Sequence, residues 1–292
     1  EAPERFQYYI DMLSSVSCRS MIEAVYQPHY DRFSQYFGNT FAGFFSDEPC
    51  FCNSIGTYND KLGVAQVLPW RQELLPLLAQ ACGVSQQRVW GLLPGLWFDS
   101  EEATPLIRVA YMDVVTRLYR DNFCRQLGDW CRAHGVLYIG HVIEDMNIHM
   151  RLGYGSGHYF RALEGQDMAG IDVVLHQIIP GNREMANAAP IAGGKADPEF
   201  FFYALAKLGA SAAHLEPQKK GRAMCEIYGA FGWAEGLPYM KFLTDHMLAN
   251  GINYYVPHAF SPKYPDLDCP PHFYANGKNP QFSLFGRLME YM

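Results

Sequence analysis

The sequence predicts an α/β fold of the (β/α)8 TIM-barrel type, incomplete at its N-terminus, with strands three to eight present. Three observations lead there. Short apolar runs recur along the chain and each ends in polar residues. Stretches with helical spacing separate most of these runs. With 49% hydrophobic and 18% charged residues, the 292-residue chain can also bury one large core. No low-complexity linker or internal repeat divides it, so residues 1–292 read as one barrel domain.

In chain order, residues 3–37 read as helix with a break near Pro28. The first apolar run, 41–45, leads into Ser46-Asp47-Glu48, and the second, 136–139, leads into His141 and Glu144. Run 171–175 leads into His176-Gln177, and 211–213 into His214. Run 223–225 leads into Glu226, and 252–256 into His258. Between them, 104–134 is a long amphipathic helix stopped by Gly135. Asp197-Pro198 supplies an N-cap and an N1 proline ahead of 199–208, and Asn250-Gly251 closes 235–249. A closed barrel needs eight strands and six are legible. Either two β/α units precede Glu1 in a longer chain, which is the preferred expectation, or two strands escape this reading.

Composition excludes several classes of function. A formal net charge of −7 with 23 Lys plus Arg and no basic run argues against nucleic acid, whose binding is driven by clustered cations. Apolar runs such as 171–175 fall far short of the roughly 20 residues that span a bilayer, so a soluble protein is expected. The eight cysteines form no repeated framework, and Cys50-Phe-Cys52 is one residue short of a CxxC motif. Read as reduced thiols, they favour a cytoplasmic over a secreted location. The sequence is silent on oligomeric state.

In a parallel barrel the strand tips converge, so carboxylates far apart in sequence come to share one site. Glycosidic cleavage needs one carboxylic acid to protonate the leaving oxygen and one carboxylate to attack the anomeric carbon or activate water. Glu48, Glu144 and Glu226 each follow a predicted strand. Any one of them serves equally well as an N-cap or a solvated loop residue; three at the tips of one barrel carry more weight. In Gly140-His141-Val142-Ile143-Glu144-Asp145, the apolar pair can desolvate a carboxyl group and raise its pKa for acid work. On an extended strand, Tyr228 shares a face with Glu226 and can orient it, or else packs in the core. Tyr228, Trp233, Tyr255, Tyr264, Phe273 and Tyr274 offer flat faces for a sugar ring. His258, Asp268, His272, Asn276 and Asn279 offer polar groups for hydroxyls.

Several stretches together carry a resemblance over nearly the whole chain. They are Tyr36-Phe37-Gly38, Gly43-Phe44-Phe45-Ser46-Asp47-Glu48-Pro49, Gly140-His141-Val142-Ile143-Glu144 and Gly170-Ile171-Asp172. Further on come Ser211-Ala212-Ala213, Glu226-Ile227-Tyr228-Gly229-Ala230-Phe231-Gly232-Trp233, Gly251-Ile252-Asn253 through His258, and Pro270-Pro271-His272-Phe273-Tyr274. In their order and spacing the chain resembles large bacterial glycoside hydrolases close to the family 106 α-L-rhamnosidases. The resemblance implies two further β/α units ahead of the Asp47-Glu48 strand. It makes Glu48, Glu144 and Glu226 the ends of strands three, four and seven. Strands four and seven are where many retaining barrel glycosidases hold acid/base and nucleophile, whereas family 106 is associated with inversion and a bound calcium ion. Ala169 stands where relatives often have proline.

The function expected is therefore cleavage of a glycosidic bond, with α-L-rhamnosides as the substrate the resemblance implies. Glu144 is the acid, Glu226 the nucleophile of a retaining mechanism, and Glu48 a third carboxylate. Asp47, His141, Asp172, His176, Tyr228, Trp233, His258 and Tyr274 are the substrate-binding candidates. No cofactor or metal ligand is assigned, and calcium enters only through the resemblance. Two alternatives stay open. One is a metal-dependent barrel hydrolase using His141, His176, His214 and His258 with Asp47. The other is a carbohydrate-binding barrel without turnover.

Overall fold

A computed structural model of the chain describes residues 8–51, 68–101, 103–143, 155–181, 186–187, 195–196, 198–229, 235–258 and 282–292. The chain divides into two compact units, Glu1–Asp167 and Met168–Met292.

In the first unit, α1 (Ser15–Met21), a π-helical turn (Ile22–Tyr26) and α2 (Gln27–Phe33) follow one another without a gap. Ser14 caps the run from an extended backbone, its Oγ accepting from Ser17 N at 3.3 Å. The break expected near Pro28 does not occur. The proline falls in the first turn of α2, directly after the π turn, where the regular ladder is already interrupted and its missing N–H costs little. β1 (Gly43–Ser46) comes next, then α3 (Leu74–Cys82), α4 (Gln86–Leu92) and α5 (Ala103–Tyr119). A second π turn (Arg120–Arg125) joins α5 to α6 (Gln126–Ala133), so the long helix read at 104–134 is present with a wide turn inside it. It stops as expected: Gly135 adopts φ +73° and Val136 N returns to Cys131 O at 3.0 Å.

β2 (Leu137–Gly140) pairs in parallel with β1, from Gly43 opposite Leu137 to Ser46 opposite Gly140. The α5 face that closes the core carries Ile107, Tyr111, Val114, Val115 and Tyr119 at helical spacing. A buried aspartate anchors β2 after α7 (Tyr159–Leu163): Asp167 Oδ2 accepts from Tyr138 N at 2.9 Å, and Asp167 N donates to Tyr138 O at 2.7 Å. Arg132 Nη1 lies 3.3 Å from Asp167 Oδ1 and balances its charge.

The second unit holds β3 (Ala169–Val173), a short antiparallel pair β4 (Ala186–Asn187) and β5 (Lys195–Ala196), and a π turn (Phe200–Ala204) running into α8 (Leu205–Leu215). β6 (Ala223–Ile227), α9 (Leu237–Ala249), β7 (Tyr254–Pro257) and α10 (Phe282–Tyr291) complete it. β3, β6 and β7 form one parallel sheet in the order β3-β6-β7. β3 is buried throughout and β6 at all but Glu226, the pattern of a parallel sheet covered on both faces.

These elements correct the predicted fold class. Five of the six apolar runs contain strands, but 211–213 lies inside α8. A three-residue apolar run carries no period of its own. The burial of Leu205, Ala206, Gly209, Ala212 and Ala213 follows the helical repeat, so the small residues pack as a helix face. His214 accordingly sits in the last turn of a helix and not at a strand tip. Among the described residues the parallel strands make a two-stranded and a three-stranded sheet, and helix predominates. Closure requires every strand to pair on both sides, whereas among the described residues β1, β2, β3 and β7 each pair with one neighbour, so neither an eight-stranded barrel nor a strand series three to eight is evident there. No described helix is long and apolar enough to cross a membrane.

Backbone contact between helices fixes one further feature of the first unit. Gly165 N donates to Cys124 Sγ at 3.2 Å and Gly165 O accepts from Arg132 Nη1 at 2.9 Å. A Cβ at Gly165 would stand 2.2 Å from Cys124 O. Gly165→Ala is therefore expected to lower stability by about 1–3 kcal/mol through overpacking. Gly91→Ala, in α4 with nothing within 4 Å of its Cβ, should instead raise stability by about 0.5–1 kcal/mol. Thermal unfolding midpoints of the two variants check both signs.

Candidate active-site residues at the strand ends

Because β3, β6 and β7 run parallel, their carboxyl ends emerge on one side of the sheet, the side on which open α/β sheets bind ligands. Asp172 of β3 is in register with Glu226 of β6. In-register residues on adjacent strands project from the same face about 4.8 Å apart, so Asp172 and Glu226 stand side by side on one face of the sheet. Asp172 is buried, and the Glu226 side chain is 13% exposed.

His258 follows β7 directly. Its N donates to Ile227 O at 2.9 Å, extending the β6–β7 ladder by one step. That step brings His258 Nδ1 to 3.1 Å from Glu226 Oε1, with the imidazole 32% exposed. Gly229 makes room for this pair: a Cβ there would stand 2.6 Å from His258 Nδ1 and 2.6 Å from Val174 Cγ1. Leu175 N donates to Gly229 O at 3.0 Å, tying the exit of β3 to the exit of β6.

The other candidates of this unit fall as follows. His176 is exposed on the tight turn after β3, where Leu175 and His176 both adopt positive φ and Val174 N donates to Gln177 Oε1 at 3.0 Å. Tyr228 is buried, lies just beyond the last strand residue and has φ +81°. The same-face relation to Glu226 read from strand geometry therefore stops at Ile227. The Tyr228 hydroxyl meets Thr244 Oγ1 on α9, and burial raises its pKa far above the ordinary value. Tyr255 likewise spends its hydroxyl on the Thr244 and Ile252 carbonyls at 3.3 Å.

In the first unit the ends of β1 and β2 bring together Asp47, Glu48 and His141, each offering one ligand atom within 4.8 Å of the others. His141 is fully buried and packs edge-on against Phe45, with ring centroids 5.7 Å apart. Its Nε2 lies 3.4 Å from Asp47 Oδ1, whose side chain is 72% exposed. Glu48 adopts φ +45°, the turn that aims it back beside Asp47. Glu144, Trp233 and Tyr274 lie outside the described residues. The six described cysteines Cys18, Cys50, Cys82, Cys124, Cys131 and Cys225 are all free thiols.

One acid was missed by the sequence reading. Glu235, between β6 and α9, is 3% exposed, and neither carboxyl oxygen has a hydrogen-bond partner among the described residues. Burial pushes its pKa up to about 9. No motif marks it; the sequence registers it only as the start of a helical stretch.

Comparison with known proteins places this arrangement only at the level of fold. No family model matches the chain, and no curated protein does. Among solved structures, it is similar to the rhamnosidase from Novosphingobium sp. PP1Y, at 17% sequence identity and a TM-score of 0.60. The match covers 90% of this chain and 22% of that one, so the chain spans under a quarter of the rhamnosidase's length. The resemblance read from the sequence thus meets a shared, rhamnosidase-like fold.

Proposed function

We propose that the chain is a glycoside hydrolase, or the part of one that carries catalytic carboxylates, acting on α-L-rhamnosides. The observation that carries this reading is the in-register placement of Asp172 and Glu226 at the carboxyl ends of parallel strands, with His258 bonded to Glu226. The likeness of fold to a rhamnosidase supports the same class.

In this reading His258 orients the Glu226 carboxylate, which attacks the anomeric carbon. As that C–O bond forms, the glycosidic bond breaks, and the leaving oxygen takes its proton from a carboxylic acid. The sequence assigns that acid to Glu144. Water then attacks the glycosyl-enzyme, gives its proton to the Glu144 carboxylate and frees Glu226. Asp172 serves the sugar hydroxyls as an acceptor, and Glu48 is the further carboxylate.

A second reading, metal-assisted hydrolysis, is supported by the Asp47–Glu48–His141 cluster. Two carboxylates and an imidazole do not resemble the six to eight oxygens that calcium takes, so the ion implied by the resemblance does not fit this set. The donors match a borderline transition ion such as zinc. The four-histidine version of this reading loses His214 to α8.

Two predictions follow from these assignments. With an aryl α-L-rhamnoside, Glu144→Gln and Glu226→Gln are each expected to lower kcat by about 10²–10⁴-fold, with unfolding midpoints close to the parent's. Proton NMR of the first-formed sugar should show the anomeric configuration of the substrate. Near-full turnover in both variants sinks the assignment, and the opposite anomer rules out Glu226 as nucleophile. For the second reading, elemental analysis of the purified protein should find about one zinc per chain, lost in Asp47→Asn, if the cluster is a metal site. A metal-free active enzyme removes that reading.

A further inference from the structure

Tyr228 stands two residues after Glu226 in a backbone conformation that suits glycine. Its φ of +81° brings an aromatic side chain against its own main chain, and such a residue persists only where its surroundings hold it. The ring is fully buried, and its hydroxyl meets Thr244 Oγ1 on α9. Thr244 is itself fully buried and gives its own proton to Met240 O at 2.9 Å, so it accepts the proton of Tyr228. Met292 Sδ, a weaker acceptor, lies 3.4 Å from the same phenol oxygen. The Thr244 carbonyl also accepts from Tyr255 of β7 at 3.3 Å, so one residue of α9 holds the β6 exit and β7 alike.

The left-handed turn redirects the hydrogen bonds at the end of the sheet. In a strand flanked by two parallel neighbours, successive backbone carbonyls point to alternate sides. Arg222 O accepts from Ala169 at the start of β3, and Ala223 O from Asn253 ahead of β7, each at 3.0 Å. Ile227 O keeps the alternation, accepting from His258 on the β7 side at 2.9 Å. A regular strand would aim Gly229 O to that side as well. Instead it accepts from Leu175 after β3 at 3.0 Å, so the turn at Tyr228 swings the chain across the sheet end. Leu175 meets it with a left-handed backbone of its own, φ +57°. The swing leaves the Gly229 α-carbon against the His258 ring, where a Cβ would stand 2.6 Å from Nδ1, and the ring so seated lies 3.1 Å from Glu226 Oε1.

We propose that Tyr228 is a positioning residue for Glu226: anchored on Thr244, it holds the left-handed corner that joins the β6 exit to β3 and seats the His258 imidazole beside the carboxylate. The role rests on the reading of Glu226 as nucleophile. It also accounts for a tyrosine where the backbone favours glycine, since glycine has no hydroxyl with which to bind α9. Removing the hydroxyl frees the corner while leaving the apolar ring in the core. His258 then loses its seat, and the carboxylate its orientation.

Tyr228→Phe and Thr244→Val delete the bond from either side, and Thr244→Ser restores it. On an aryl α-L-rhamnoside, the first two are expected to lower kcat about ten- to hundredfold with KM within about threefold, and Thr244→Ser to stay within about threefold of the parent. In a Glu226→Gln background, adding Tyr228→Phe should lower kcat by less than about twofold, because the residue it positions is already gone. A full further loss there, or a rise in KM with kcat unchanged, overturns the proposal.

Two measurements read the corner without turnover. Amide exchange of Leu175 and His258, whose N–H groups bond to Gly229 and Ile227, should speed up about tenfold in Tyr228→Phe and in Thr244→Val, with Val115 of α5 as the reference. The nitrogen NMR signals of the His258 ring in those variants should move toward those of Glu226→Gln. Parent-like exchange and ring signals in both variants overturn the proposal. If Glu226→Gln keeps the parent's turnover, it is the nucleophile reading that fails, and exchange and ring signals alone decide whether Tyr228 seats the pair. Should one variant not fold, the other carries the test.

Discussion

The parallel register of β3 against β6, continued from β6 to β7, is the constraint from which the second unit's chemistry descends. Parallel ladders place every strand's carboxyl end on the same side, and register then decides which residues meet. Asp172 opposite Glu226, with His258 one step beyond the β6–β7 ladder, is a consequence of which backbone groups pair. A slip of one residue in β6 would turn Glu226 to the other face and put Cys225 or Ile227 in its place. What holds the register is apolar: β3 is buried throughout and β6 at all but Glu226, so any other pairing would send buried side chains the wrong way. The single partly exposed residue of β6 is the one with chemistry.

The first unit repeats the same logic with fewer strands. β1 and β2 are parallel, and the residues just past them, Asp47, Glu48 and His141, come together although 93 positions separate Glu48 from His141 in the sequence. The anchor here is a buried aspartate. Asp167 exchanges two hydrogen bonds with the Tyr138 backbone and faces Arg132, so β2 is held by a side chain and a neighbouring loop. Gly165, pressed against Cys124 and Arg132, keeps that loop in place.

The two carboxyl groups flanking Tyr228 in sequence meet opposite environments. Glu226 has an imidazole beside it and some solvent, whereas Glu235 has neither partner nor water. A carboxylate suits the first setting and a neutral acid the second. Sites that need one acid and one base at a single pH are built from such contrasts.

The sequence by itself indicated the helical stretches at the N-terminus, at 104–134 and at 235–249, and five of the strands. Apolar period, Gly135 and Gly251 as terminators, and the runs 41–45, 136–139, 171–175, 223–225 and 252–256 are local signals, set by dihedral preference and by the spacing of buried residues. It also placed Asp47, Glu48, His141, Glu226 and His258 just beyond apolar runs, since a polar residue following an apolar run is visible in one dimension, whereas it read Asp172 inside a run. The run at 211–213 was misread because three small residues fit either period, and only packing against the sheet chose the helix. Strand count misled for a related reason: barrel closure depends on which strands pair, and pairing is a non-local choice that no window of sequence contains. The same holds for the Glu226–His258 bond and for the isolation of Glu235. Proximity and dielectric are properties of the folded neighbourhood, so only the tertiary structure decided which carboxyl group has a partner and which is shut away from water.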